Sequence, residues 1–305
     1  MIGVVGAGTM GAGIAQVAAT AGEQVKVYDV APGTAARAVE QTATRLERQV
    51  AKGRLDRQQA AEVIGRLSAA DALPDLAEGD LVVEAVAERL AVKHALFAEL
   101  EHVCGDDTIL ATNTSTISVT DIAARLDHPE RVCGMHFFNP APLMQLVEVP
   151  VGEVTGEPVA EAVLSRATAW GKTAVRCRST PGFIVNRVAR PFYGEAQRIV
   201  EEGTATVPVV DGAIRAAGFR MGPFELTDLI GNDVNLASTV SVYEQTGRDP
   251  RYAPTASQQE LVDTGDLGRK TGRGWYDHAD GEAPEPASPS QDAAAAIQLR
   301  ILSML

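Results

Sequence analysis

The chain has 305 residues, 45% of them hydrophobic and 22% charged, which is long enough for two packed cores and close to the charge content of an ordinary soluble protein. A formal net charge of −13 argues against nucleic acid or an anionic membrane as partner, and no apolar run approaches the length of a membrane span. The three cysteines, Cys104, Cys133 and Cys177, are too scattered for a metal motif or a disulfide framework and read as small core residues. In chain order, residues 1–5 read as a short buried strand that leaves no room for a targeting peptide ahead of it, so a cytoplasmic protein is expected. The strand runs into Gly6-Ala7-Gly8-Thr9-Met10-Gly11 and a helix of small residues over 12–21, stopped by Gly22; a second strand over 25–28 closes on Asp29. Residues 34–66 have a charged helical pattern, read as two helices meeting near Gly53. Strands follow over 80–86, 108–113, 131–138, 146–151 and 173–177, alternating with helices over 89–103, 118–126 and 158–170. That alternation implies a mostly parallel, doubly wound sheet. Beyond the break at Pro181-Gly182 the strand signals stop, and helices are predicted over 184–202, 207–217, 223–231 and 233–245, with Gly203, Gly218, Gly231 and Gly247 as their stops.

The opening pattern of strand, Gly-x-Gly-x-x-Gly, helix, strand and acid is the signature of a dinucleotide site. Gly6 permits the tight turn, Gly8 lets the backbone approach a pyrophosphate, and Gly11 lets helix and strand pack closely. The helix N-terminus offers free N–H groups to the phosphates, at the backbone of Thr9 and Met10. Asp29 stands where a carboxylate would accept hydrogen bonds from both ribose hydroxyls, and it would repel a 2′-phosphate. No cation follows until Arg37, so NAD is expected rather than NADP. A second constellation lies at His136-Phe137-Phe138-Asn139-Pro140 and, twelve residues after His136, at Glu148, which interrupts the apolar run of residues 146–149. If the two residues ride neighbouring strands, the carboxylate can hold the imidazole, as a general base near neutral pH requires. Taken alone, that pair is equally an ordinary half-buried histidine and a solvent-facing glutamate. Arg45, Arg48 and Lys52 recur at helical spacing, with Arg54 and Arg57 beyond; they form either a solvated helix face or a local basic patch for phosphates in an otherwise acidic chain.

With these pieces in order, the chain resembles the 3-hydroxyacyl-CoA dehydrogenase family, and within it the bacterial 3-hydroxybutyryl-CoA dehydrogenases. The matching segments are residues 5–15, 112–116, 136–148, 181–187, 221–226 and 268–277. The resemblance implies an α/β protein: a doubly wound Rossmann-type NAD-binding domain over 1–180, then an all-α substrate and dimerisation domain over 181–280. It implies His136 as catalytic base with Glu148 as its partner, Ser115 as the hydroxyl that meets the reacting oxygen, and Asn186 as the amide that completes the site. Glu88, Lys93 and Asn113 match cofactor-contacting positions, and by analogy Arg48 and Lys52 meet the coenzyme A phosphates. Thr116 stands where many relatives have a second serine.

The expected activity is NAD-dependent oxidation of a short (S)-3-hydroxyacyl-CoA by a homodimer joined through apolar helices, among them the residues Phe183, Ile184, Val185, Phe192, Phe219, Phe224, Leu226, Leu229 and Ile230. Two alternatives remain at this stage: a dehydrogenase of a free hydroxy or sugar acid, as in the lambda-crystallin and gulonate dehydrogenase branch, and an NAD-binding structural protein without turnover. No metal is expected. Residues 281–290 read as a Pro-rich linker, followed by an apolar helix over 292–305 in which Ile297-x-x-Arg300 echoes Ile184-x-x-Arg187. That helix reads either as the opening of a second copy of the helical domain or as a terminal helix docked on the body or on a partner subunit.

Overall fold

The computed structural model describes residues 1–279 and 287–304; most of the linker read over 281–290, and Leu305, lie outside the described residues. Met1–Phe183 forms one compact unit and Ile184–Leu305 a second.

The first unit is built on a six-stranded parallel sheet of β1 (Ile2–Val5), β2 (Val25–Tyr28), β3 (Leu67–Ala69), β4 (Leu81–Glu84), β5 (Ile109–Thr112) and β6 (Val132–Gly134), ordered β3-β2-β1-β4-β5-β6. All four residues of β1 and of β4 are buried, as expected where helices cover both faces of a parallel sheet. The helices of this unit are α1 (Thr9–Thr20), α2 (Thr34–Ala51), α3 (Arg57–Gly65), α4 (Leu90–Val103), α5 (Val119–Ala123) and α6 (Glu157–Ala169). Asp56 caps α3 by accepting from the amides of Gln58 and Gln59, and Ser118 caps α5 by accepting from that of Asp121. The strand order reverses between β1 and β4, and ligands of such sheets bind outside the carboxyl ends of the strands at that point. The register sets Tyr28, Val5, Glu84, Thr112 and Gly134 side by side in one row at those ends.

Two sequence expectations need correction here. The edge strand β3 was not anticipated; only Leu67 of its three residues is buried, so it carries no alternation to read. The segment 131–138 is two strands rather than one. β6 ends at Gly134, and β7 (His136–Phe137) starts a separate three-stranded sheet with β8 (Leu146–Val151) and β9 (Thr173–Arg178), in which β7 and β8 are antiparallel. The reason is local: a Cβ on Gly134 would lie 2.2 Å from Pro150 Cγ, so β6 and β8 approach more closely than two ordinary residues allow.

The second unit contains α7 (Val185–Glu201), α8 (Val207–Ala216), α9 (Pro223–Ile230), α10 (Asn232–Gln245), α11 (Ala256–Thr264) and α12 (Gln291–Leu302). α11 escaped sequence reading because Gln258 is its one buried residue and no apolar stripe marks it. The core joins Phe192, Ile199, Val210, Ile214 and Phe224 to Ala294, Ile297 and Ile301, so α12 is packed into this unit. Arg300 bonds Glu202 at 2.6 and 2.9 Å and also reaches Glu195, while Gln298 Nε2 donates to the Ala213 carbonyl at 2.7 Å. Among the apolar positions named for a subunit interface, Phe183, Phe192 and Phe224 are buried, Val185 and Leu226 are half-buried, and Ile184, Phe219, Leu229 and Ile230 are exposed. Among the described residues no helix is long and apolar enough to cross a membrane.

Candidate active site

The glycine loop closes on itself as a phosphate cradle should. Gly6 has φ +97°, and a Cβ on it would lie 2.5 Å from the Ala85 carbonyl; one on Gly11 would lie 1.7 Å from the Gly6 carbonyl. Around Gly8 the corresponding space is open to 4 Å. Gly8 is the N-cap of α1 and supplies no side-chain cap, so the first-turn amides at Thr9 and Met10 have no side-chain acceptor there and face a ready anion site. Each Asp29 oxygen holds one loop amide, Ala7 at 2.8 Å and Ala31 at 2.9 Å, which fixes the carboxylate and leaves further lone pairs for ribose hydroxyls. It lies in a cleft of about 220 Å³ whose charged lining residues are Asp29 and Asp71. Arg37, the first cation of the segment, is turned onto Thr34 Oγ1 at 2.8 Å. These residues fit an NAD molecule and offer a 2′-phosphate no counter-charge.

Further along the row of strand ends, Glu84 is wholly buried and takes both of its nearest donors from inside the protein. Lys93 Nζ lies 2.6 and 2.8 Å from its two oxygens, and Thr112 Oγ1 donates at 2.7 Å. The same ammonium lies 3.2 Å from Glu88. Glu88 in turn gathers the loop after β5 on one oxygen: Thr114 Oγ1 at 2.5 Å, the amides of Ser115 and Thr116 at 2.8 and 3.0 Å, and Thr116 Oγ1 at 3.2 Å. Burial alone would raise the Glu88 carboxyl, but the Lys93 ammonium and these donors outweigh it and hold it below the usual glutamate range. Glu84, Lys93 and Glu88 therefore form a brace that fixes the loop carrying Ser115. Lys93 is 1% exposed with its charge spent on two carboxylates, so the structure gives it protein neighbours where the resemblance implied a cofactor contact. Glu84 was overlooked, although a lone acid ending the buried run of residues 81–84 is the same signal that singled out Glu148.

His136 and Glu148 stand directly opposite in the antiparallel pair of β7 and β8, so their side chains leave the same face of the sheet. Nδ1 of His136 lies 2.7 Å from Glu148 Oε2, with the two side chains 4% and 0% exposed. The imidazole is walled by Phe138 at 4.6 Å and Phe183 at 5.6 Å between ring centroids. Phe183 adopts φ +47°, a left-handed conformation costly for a bulky residue, and it is buried. Its contact with His136 is a role that counting it as an interface residue missed. Asn113 Oδ1 accepts from the Phe137 amide at 2.8 Å, tying the end of β5 to the histidine strand. The Ser115 hydroxyl and the Asn186 amide have no hydrogen-bond partner among the described residues; Ser115 stands on the braced loop, and Asn186 is in the first turn of α7 in the second unit. Arg48 and Lys52 are exposed at the end of α2, whereas Arg45 is drawn off the patch onto Thr42 and Gln16.

A profile of the 3-hydroxyacyl-CoA dehydrogenase NAD binding domain matches residues 1–180, and one of the C-terminal domain of the same enzymes matches residues 182–278. The chain belongs to the 3-hydroxyacyl-CoA dehydrogenase family. It is 52% identical over 277 residues to a 3-hydroxyadipyl-CoA dehydrogenase of Escherichia coli, an alignment that takes 90% of this chain and 58% of that relative. The chain thus spans little more than half the length of this relative. A probable 3-hydroxybutyryl-CoA dehydrogenase of Bacillus subtilis is 41% identical over 276 residues, covering 90% of this chain and 96% of the relative. The crystal structure of an (S)-3-hydroxybutyryl-CoA dehydrogenase from Ralstonia eutropha superposes with a TM-score of 0.87 at 36% identity, covering 90% and 98% of the two chains. The α/β class with a helical second domain and an NAD-binding first domain, expected from sequence, is the family's architecture.

Proposed function

We propose that this chain oxidises (S)-3-hydroxyacyl-CoA to 3-ketoacyl-CoA with NAD. The observation that carries the reading is the register of β7 against β8, which sets a buried carboxylate on Nδ1 of a histidine whose other face is apolar. With Nδ1–H given to Glu148, Nε2 is left as the lone pair that takes the proton of the C3 hydroxyl, and the carboxylate stabilises the imidazolium as it forms. Bound NAD supplies the hydride acceptor. Gly6, Gly8, Thr9, Met10 and Gly11 would hold its pyrophosphate and Asp29 its adenosine ribose. Ser115 donates to the C3 oxygen, Asn186 serves the substrate oxygens, and Asn113 and Glu88 keep the histidine strand and the Ser115 loop in place. Phe138 and Phe183 exclude water from the imidazole. Arg48 and Lys52 offer the coenzyme A phosphates local positive charge in a chain of net charge −13.

For the acyl group, short chains such as 3-hydroxybutyryl are the first reading. The relative at 52% identity is named for 3-hydroxyadipyl-CoA, and that makes a dicarboxylic acyl chain the second. The exposed Ile184, Val188, Phe219, Leu229 and Ile230, each 39–48% exposed, support a homodimer through the helical domain, to be read by sedimentation at micromolar concentration. The absence of a membrane-spanning helix among the described residues and the acidic composition accord with a cytoplasmic setting. The deciding experiment is NAD-linked turnover of hydroxyacyl-CoA esters beside the free hydroxy acids. Turnover confined to free acids would replace this reading with the gulonate-type one, and no turnover of either with intact NADH binding would favour a non-catalytic protein.

A further inference from the structure

Within the first unit, the turn between α6 and β9 grips the histidine hairpin through two side chains. The Trp170 ring stacks on Phe137, the neighbour of His136, with centroids 6.4 Å apart. Lys172 is 8% exposed, and its Nζ donates to the Ala141 carbonyl at 2.7 Å and to the Met144 carbonyl at 2.9 Å. Both carbonyls belong to the connection between β7 and β8, beyond the Phe137 to Val147 pair where the ladder ends. The amides of Leu143 and Met144 both donate to the Pro140 carbonyl at 3.0 Å, and the Thr173 amide donates to the Gln145 carbonyl at 2.8 Å. The connection also rests on the dinucleotide helix. A Cβ on Gly13 of α1 would lie 3.2 Å from Ala141 Cβ and 3.3 Å from Pro142 Cδ, so the loop sits on the helix with no room for a side chain between them. Gly13 stands one turn beyond Thr9, at whose end of α1 the anion site opens. A lysine ordinarily keeps its head in water, and a methionine of similar length would fill the same space without giving up hydration. Here the ammonium is spent on the shape of one loop.

We infer that Lys172 is a positioning residue for the redox step: by holding the Ala141 and Met144 carbonyls it seats the β7–β8 connection on Gly13 and so fixes His136 relative to α1. The inference rests on the dehydrogenase reading. In that reaction the C3–H bond breaks and its electron pair leaves with the hydride for NAD. The hydroxyl O–H bond breaks too, its proton goes to His136 Nε2, and C3 and its oxygen become a carbonyl. The hydride acceptor is carried by the glycine loop and α1, and the proton acceptor by β7. Both must reach one carbon and its oxygen, so the spacing of α1 and β7 sets the rate. A misplacement of about 1 Å in such an arrangement costs on the order of 100-fold.

The test follows oxidation of 3-hydroxybutyryl-CoA. Lys172→Met should lower kcat roughly 10- to 100-fold and leave NADH affinity nearly unchanged in a fluorescence titration, because the glycine loop is untouched. Lys172→Arg keeps donors for the two carbonyls and should recover part of the loss. The slowed step is the one that breaks C3–H. The isotope effect on kcat with the ester deuterated at C3 should therefore be at least as large in Lys172→Met as in the unmodified chain. Gly13→Ala pushes on the same loop from α1 and should lower kcat by itself. Joined to Lys172→Met, it should cost less than the product of the two separate losses. A Lys172→Met chain with a lowered urea midpoint and an unchanged kcat per folded molecule would show a purely structural role and overturn the inference. An isotope effect that shrinks overturns it as well. If Lys172→Met does not fold, Gly13→Ala decides, and full kcat in that variant is the contrary result. An unmodified chain that turns over no hydroxyacyl-CoA ester overturns the dehydrogenase reading and the inference with it, whereas the other contrary results overturn the inference alone.

Discussion

Lys93→Met separates two accounts of one residue. Methionine keeps the length and packing of the side chain and removes the charge that sits 2.6 Å from Glu84 and 3.2 Å from Glu88, with Glu84 0% exposed. Breaking a buried pair from one side costs about 3–5 kcal/mol, because a desolvated charge is left behind. The variant should therefore lose roughly 3–5 kcal/mol, read as the urea midpoint of the first unit. Glu84→Gln combined with Lys93→Met removes both buried charges and should recover much of the loss. Because Glu88 then holds the Thr114 to Thr116 loop without its counter-ion, kcat should fall more than NADH affinity. A variant of unchanged midpoint, with NADH binding weakened instead, would refute the brace and return Lys93 to the cofactor.

His136→Gln should cut kcat by roughly 10²–10⁴ with NADH affinity nearly unchanged in a fluorescence titration; near-normal turnover would remove the base assignment. Asp29→Ala should narrow the preference for NAD over NADP by weakening NAD, and equal use of both cofactors by the unmodified chain would contradict the ribose role. Burial lifts Asp211 from 3.8 to about 6 against the donors that Phe224, Tyr276 and Glu225 offer it. Between those values the folded chain holds a proton that the unfolded chain has lost. This contribution is thus fully present below pH 3.8 and is lost as the pH rises through 6, by about 3 kcal/mol. Asp211→Asn should flatten the stability profile over that window, and parallel profiles for the two proteins would count against it. Deleting residues 287–305 uncovers the groove filled by Ile297 and Ile301, 6% and 0% exposed, and should destabilise the helical unit by about 3–6 kcal/mol. A midpoint unmoved by the deletion would show that α12 contributes little there.

The legible part of the fold was the part with a period or a fixed turn. Gly6, Gly8, Gly11 and Asp29 could be read because each is required by backbone geometry or by the ligand, and helices such as α6 and α7 because their apolar faces repeat. α11 and β3 bury too little of themselves to leave such a pattern. His136 and Glu148 were found as a pair, but their spacing could not tell that the strands run antiparallel; that depends on the path the chain takes between β7 and β8. Glu84 and Arg190 were missed for the opposite reason. Both are ionised groups inside buried runs, and only the structure tells which of them has its partner within the protein.

That difference is the most informative contrast in the molecule. Glu84 is an anion at the heart of the first unit with a cation at 2.6 Å, so its cost is met by a neighbour and its effect is to stiffen a loop. Arg190 is a cation at the heart of the second unit whose polar contacts among the described residues are a carbonyl, a hydroxyl and a ring. The first arrangement completes itself on folding; the second leaves a guanidinium without an anion among the described residues. Register matters equally for the His136–Glu148 pair, since slipping β7 by one residue against β8 would send His136 to the other face. The close fit of Gly134 under Pro150 and the Asn113 bond to the Phe137 amide hold that register without touching the reacting atoms. In the proposed mechanism the chemistry therefore depends as much on residues that fix strand position as on the histidine that takes the proton and the carboxylate that holds it.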